Sequence, residues 1–189
     1  MNGAPDGLSS FPALRDHLLA HAVRSGDFVL KSGCRSRWFI DAKQSTCRPE
    51  GMLLVAEAAL EVLPEDATAI GGLTMGADAV AFAVAAVAAT RGRMLHSFSV
   101  RAATKDHGGG GRLAGVLEPG DRVVVTEDTV TRGVSMLEAA DVVRTCGATP
   151  VLLLSVVDRG RTAAALAREA GIAYQPLVTA EELGAPDED

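Results

Sequence analysis

The chain has 189 residues, about one domain at ~150 residues per domain. Apolar residues make up 48% and charged residues 22%, a globular balance that excludes disorder across the whole chain. The 18 Lys and Arg against 24 Asp and Glu leave a net charge of −6, which argues against general nucleic-acid binding and requires any anionic ligand to be met by a local basic cluster.

In chain order, residues 11–24 place Leu14 and Leu18 at helical spacing and predict an amphipathic helix stopped by Gly26. Residues 27–30 and 36–40 are short strands, and Gly33 between them suggests a hairpin. From Pro49 a helix is expected to about Val62, with Pro64 just beyond its end. Regular alternation follows: a strand over 67–70 running into Gly71-Gly72, an Ala/Val-rich helix over 77–91, and a strand over 93–100. Next come a strand over 121–126, a helix over 135–146 ended by Gly147, and a strand over 149–157. A helix over 161–170 ended by Gly171 and a strand over 173–178 close the series. Strands apolar on both faces, alternating with helices, predict a parallel sheet covered on both sides. Ligands of such sheets bind beyond the carboxyl ends of the strands, here the loops after residues 70, 100, 126 and 157.

Three cysteines (Cys34, Cys47, Cys146) with no C-x-x-C spacing read as free thiols in a reducing compartment. The first residues show no basic start followed by an apolar run. The longest apolar stretch, 77–90, is too short to span a bilayer. A cytoplasmic protein without membrane or nucleic-acid partners is expected.

The sharpest chemical signal runs from Val123 to Ser135, VVVTEDTVTRGVS. Glu127 and Asp128 follow a buried strand, and Thr131, Gly133 and Ser135 lead into a helix. A helix N-terminus offers unpaired N–H groups and a positive dipole end, and Gly133 lets an anion approach the amides. The acids would repel a phosphate; they suit diol hydroxyls or a hard cation such as Mg²⁺. A sugar carrying both a phosphate and vicinal hydroxyls fits both halves. A second segment, 98–112, gathers Arg101, Lys105, His107 and Arg112 around four successive glycines. Such a loop is expected to be mobile and to act as a basic lid.

The first string resembles the 5-phospho-α-D-ribosyl 1-diphosphate (PRPP) signature of type I phosphoribosyltransferases. With the second it resembles orotate phosphoribosyltransferases, whose lid pattern is matched by Arg101, Lys105, His107 and Gly108. The strings FVLKSGCRSRWFID at 28–41 and Val157-Asp158-Arg159 agree with that family's substrate segment and strand end. The resemblance implies an α/β fold with a central parallel sheet flanked by helices and a small hood from the N- and C-terminal segments. It implies one domain over 1–189, with a hood at about 11–45 and 158–180, a core at about 46–157 and a lid at about 101–113. The implied reaction transfers ribose 5-phosphate from PRPP to orotate, giving orotidine 5′-monophosphate and diphosphate in pyrimidine biosynthesis.

By position, the resemblance assigns catalysis to Lys105, Glu127 and Asp128. It assigns PRPP binding to Arg101, Lys105, His107, Glu127, Asp128 and the run Thr129, Val130, Thr131, Arg132, Gly133, Val134 and Ser135. Lys31, Thr131 and Arg159 would face orotate. Mg²⁺ is the implied cofactor, carried mainly by PRPP with no protein metal ligand, and a homodimer with the lid acting in trans is the implied assembly. Two departures stand out: Ala102 replaces the family's first lid lysine, and the loop over 72–78 has no lysine. They keep two alternatives open, a related transferase for another base and a non-catalytic PRPP-binding regulator. His17 and His21 are expected to be surface or interface histidines, His96 structural, Cys34 unreactive, and Trp38 a core or dimer-packing residue.

Overall fold

The computed structural model describes residues 9–29, 35–103, 111–160 and 162–184. Helix α1 (Pro12–His21) opens on a proline in its first turn and buries Leu14 and Leu18, one turn apart. It ends sooner than its spacing suggests, because strand β1 (Val23–Val29) begins almost at once. Gly26 therefore does not stop the helix; it lies inside β1, where the ladder to β2 (Arg35–Ile40) slips between Ser25 and Phe28. The two strands form the expected antiparallel hairpin. A four-residue helix, α2 (Lys43–Thr46), then leads into α3 (Pro49–Val62), whose last turn gives way to an extended Leu63 ahead of Pro64.

The remaining elements are β3 (Ala69–Leu73), α4 (Gly76–Thr90), β4 (His96–Val100), β5 (Leu113–Gly115) and β6 (Arg122–Val130). They are followed by α5 (Val134–Thr145), β7 (Thr149–Asp158), α6 (Ala163–Glu169) and β8 (Ala173–Thr179). The six strands form one sheet in the order β5-β4-β3-β6-β7-β8. All neighbours are parallel except β4 and β5, so the expected parallel sheet gains an antiparallel edge. That edge strand is three residues long, too short to show a pattern in sequence. Strand β8 pairs with β7 and closes the opposite edge.

Side chains alternate across the sheet. Ile70, Val124, Leu152 and Leu154 pack on one side with α1, α3 and α4; Phe98, Val123, Val125 and Leu153 pack on the other with α5 and α6. Burying each such side chain stabilises by roughly 1.5–3 kcal/mol, so both faces hold the strand register. Gly71 and Gly72 lie inside β3 rather than after it. A Cβ at Gly71 would strike the Phe98 carbonyl, and one at Gly72 the Thr126 carbonyl, so the sheet packs this closely only with glycine there. Among the described residues no helix is long and apolar enough to cross a membrane.

Candidate active site

The strand order places a topological switch point between β3 and β6. From β3 the chain builds outward through β4 and β5, and from β6 the other way through β7 and β8. β6 stays paired with β7 as far as Val130↔Asp158, but with β3 only as far as Gly71↔Val125. Beyond Val125, one edge of β6 therefore has no sheet partner in β3, which turns away into α4. A crevice at that position is where open α/β sheets bind ligands.

Glu127 and Asp128 sit on this overhang, inside the strand rather than in a loop after it. The strand continues four residues past the expected end because its β7 side keeps hydrogen-bonding. The acids lie against the start of α4. A Cβ at Gly76 would strike Glu127 Oε1 and come within 2.5 Å of Asp128 Oδ1. Asp128 is 4% exposed. Its Oδ1 accepts from the Thr129 N–H at 2.8 Å, and its Oδ2 accepts from Lys43 Nζ at 2.6 Å. Burial, then the neighbouring Asp128 charge, pushes the Glu127 carboxyl up to about 8. Burial opposes the charge on Lys43, but the hydrogen bond and field of Asp128, with Asp41 and Glu127 behind, carry its ammonium above the ordinary value. The pair thus holds one negative charge, one proton and one cationic partner near neutral pH.

Beside the acids a cavity of about 430 Å³ is lined by Glu127 and by the backbone and side chains of residues 129–136. Val130 turns its side chain into the core, so it offers the cavity only main chain. Gly133, at φ 85°, turns the chain into α5, and Thr131, Arg132 and Ser135 are exposed around the turn. The first amides of the twelve-residue α5 open here, as an anion requires. Next door, Gly160 passes so close to the Thr131 carbonyl that a Cβ would overlap it. The Arg159 N–H donates to the Val130 carbonyl at 2.7 Å, which ties the end of β7 to the same turn. Behind it, burial raises the Asp158 carboxyl, while the Gly160 N–H at 2.9 Å and Tyr174 pull the other way.

The expected site residues from Glu127 to Ser135 are thus brought together. Arg159 stands at the neighbouring strand end, its guanidinium 4.5 Å from the centre of the Trp38 ring. Trp38 is 5% exposed and packs in the core as expected, and it also links the hairpin to Arg159. Arg101 follows the last residue of β4; its N–H donates to the Arg112 carbonyl at 2.7 Å and its guanidinium to the Leu113 carbonyl at 3.2 Å. Arg112 in turn ion-pairs with Glu138 of α5. Lys31, Lys105 and His107 lie outside the described residues. Lys43 was not singled out by sequence: nothing in its own segment marks it. His17 meets Ser45 Oγ at 3.1 Å, and His96 meets Asp121 at 3.3 Å, both at structural positions. Among the described residues, no three of His, Cys, Asp and Glu gather as a metal cage.

No protein-family model matches the chain. It is 40% identical over 174 residues to the orotate phosphoribosyltransferase of Streptomyces avermitilis, covering 91% of this chain and 96% of that one. The structure resembles the orotate phosphoribosyltransferase of Mycobacterium tuberculosis solved with Fe(III) dicitrate, with a TM-score of 0.82, 32% identity, and coverage of 91% and 97% of the two chains. A structure of that enzyme in complex with PRPP aligns with a TM-score of 0.78 and 29% identity over 91% of this chain and 97% of the other. The chain therefore belongs to the orotate phosphoribosyltransferase family, a family of pentosyltransferase enzymes built on the type I phosphoribosyltransferase fold.

Proposed function

We propose that this protein transfers ribose 5-phosphate from PRPP to a ring nitrogen of orotate, yielding orotidine 5′-monophosphate and diphosphate for pyrimidine biosynthesis. The observation that carries the reading is the juxtaposition at the switch point of a buried acid pair and a cup of main-chain donors. In the transfer, the bond from ribose C1′ to the diphosphate oxygen breaks and a bond from C1′ to the base nitrogen forms. The base nitrogen gives up its proton. Positive charge gathers on the ribose ring and negative charge on the departing diphosphate.

Glu127 and Asp128 hold the ribose hydroxyls, and the amides of residues 129–135 take the 5′-phosphate. Arg101, Lys105 and His107 meet the diphosphate, where fixed cations stabilise the charge that develops on departure. Lys31, Thr131 and Arg159 face orotate; the guanidinium fork suits a carboxylate. Mg²⁺ enters as part of the substrate, bound to PRPP oxygens, in keeping with that ion's preference for substrate phosphates over all-protein cages. The same proposal includes the hood over 11–45 and 158–180, the core over 46–157, and the lid over 101–113. It also includes a cytoplasmic homodimer whose lids act in trans. Exposed Leu53 on α3 and Phe82 on α4 supply apolar area for a partner face, and the free thiols of Cys47 and Cys146 suit a reducing compartment.

The test mixes purified protein, Mg²⁺, PRPP and orotate and follows the loss of orotate's ultraviolet absorbance. Turnover is expected. Turnover with another base alone would replace the substrate, and PRPP binding without any turnover would make the protein a regulator.

A further inference from the structure

The acid pair at the switch point is met by an ammonium from a distant segment, Lys43 of α2. We propose that Lys43 is a positioning residue: the ammonium it brings from α2 holds Asp128 as the charged, aimed member of the acid pair and leaves Glu127 as the member that carries the proton. This inference rests on the proposed sugar-binding role of the pair.

Three observations support it. First, Lys43 Nζ lies 2.6 Å from Asp128 Oδ2, while the other oxygen takes the Thr129 N–H at 2.8 Å. The carboxylate is held at both ends, which fixes its orientation and leaves further lone pairs for a hydroxyl. Second, two carboxyl groups converge on Gly76. Like charges that close in a buried site do not both ionise, so whichever acid has the cation keeps the charge. A charged acceptor beside a neutral acid that can donate suits two vicinal hydroxyls better than two identical anions. Third, the origin of the lysine stem is anchored. Asp41 accepts from the Lys43 N–H at 3.3 Å and from Gln44 Nε2 at 3.2 Å. Ser45 and Thr46 are buried, and α2 packs on α1, α3 and α4.

The other charges around the cluster are placed differently. Asp78 of α4 takes the Thr74 hydroxyl at 2.6 Å, Arg159 stacks on Trp38, and Arg48 and Glu50 at the start of α3 act on His17 of α1. Among the described residues, Lys43 is the cation in direct contact with the pair.

The experiment compares wild type, Lys43→Met and Lys43→Arg in the full chain, measuring PRPP affinity by calorimetry and kcat/KM for PRPP against pH. Lys43→Met is expected to move the acid limb of both profiles upward by about one pH unit, a roughly tenfold loss on that limb. Lys43→Arg is expected to restore the limb, and thermal unfolding checks that each variant is folded. In a Glu127→Gln background Asp128 is still bonded to Lys43, so the shift is expected to persist there, whereas a purely structural lysine would move no limb in either background. A limb unmoved in Lys43→Met, or a shift lost with Glu127→Gln, overturns the inference, since the limb would then belong to Glu127 and not to the acid that Lys43 holds. Should Lys43→Met fail to fold, Lys43→Gln is read by the same criteria. If wild type binds PRPP but leaves orotate untouched, the substrate reading fails, while the affinity profiles still decide the role of Lys43.

Discussion

Glu127→Gln tests the electrostatics of the site through the stability of the whole fold. In the folded chain, burial and the adjacent Asp128 raise the Glu127 carboxyl from 4.5 to about 8. The folded state therefore binds a proton that the unfolded chain has already released. Stability is fully present below pH 4.5 and declines as pH rises towards about 8, beyond which the loss is complete. Each pH unit of such a window is worth about 1.36 kcal/mol, so the ceiling is about 5 kcal/mol; sharing of the proton with Asp128 and Lys43 lowers the expected effect to about 2 kcal/mol.

Glutamine keeps the shape and has no proton to lose, so the variant is expected to match wild type at acid pH and exceed it at alkaline pH. The assay is urea unfolding across this window, and at ~2 kcal/mol per M the midpoints should part by about 1 M. The difference between the two proteins is the quantity to read, because other groups titrate in both. Burial lowers His17, which makes its contribution rise with pH, opposite in sign, and Asp158 is raised; both cancel in the subtraction. Parallel curves for the two proteins would refute the reasoning, since Glu127 would then ionise as freely folded as unfolded. The same substitution should weaken PRPP binding, so stability and affinity move in opposite directions.

Gly76→Ala pushes a methyl onto Glu127 Oε1 and Asp128 Oδ1. Displacing reacting groups by about 1 Å costs on the order of 100-fold, so kcat/KM should fall at least that far, and an unchanged rate would mean the acids are not held there during turnover. Trp38→Leu removes the ring beneath Arg159, a contact worth roughly 0.5–2 kcal/mol. The KM for orotate should rise several-fold with the KM for PRPP little changed, and equal rises in both would remove Arg159 from the base. Lys105→Ala should cut kcat by roughly 10²–10³ while leaving stability within about 0.5 kcal/mol, as measured by steady-state rates and thermal melts. An unchanged rate would show that the lid assignment is wrong.

The sheet was legible because its strands are apolar on both faces and its helices end at glycines or prolines. Val123 to Val125 and the long β7 need no context to read as buried parallel strands. The cup from residue 129 to Ser135 was legible for a local reason: a strand, a glycine at positive φ and a helix start follow one another directly along the chain. What stayed hidden depended on pairing between distant segments. Periodicity could not show that β6 runs on to Val130, because the bonds that extend it belong to β7 alone. Gly71, Gly72 and Gly76 read as turn residues, yet they are glycines because backbone or carboxylates press against them. Lys43 lies 85 positions before Asp128, on a helix of four residues, too short to leave a pattern. Among the described residues, α2 reaches β6 through Lys43 to Asp128, and the hairpin reaches the end of β7 through Trp38 to Arg159. Each joins residues that only the fold makes neighbours. A substitution that loosens the hairpin and α2 should therefore disturb the acid pair and Arg159 together, although neither lies in those elements.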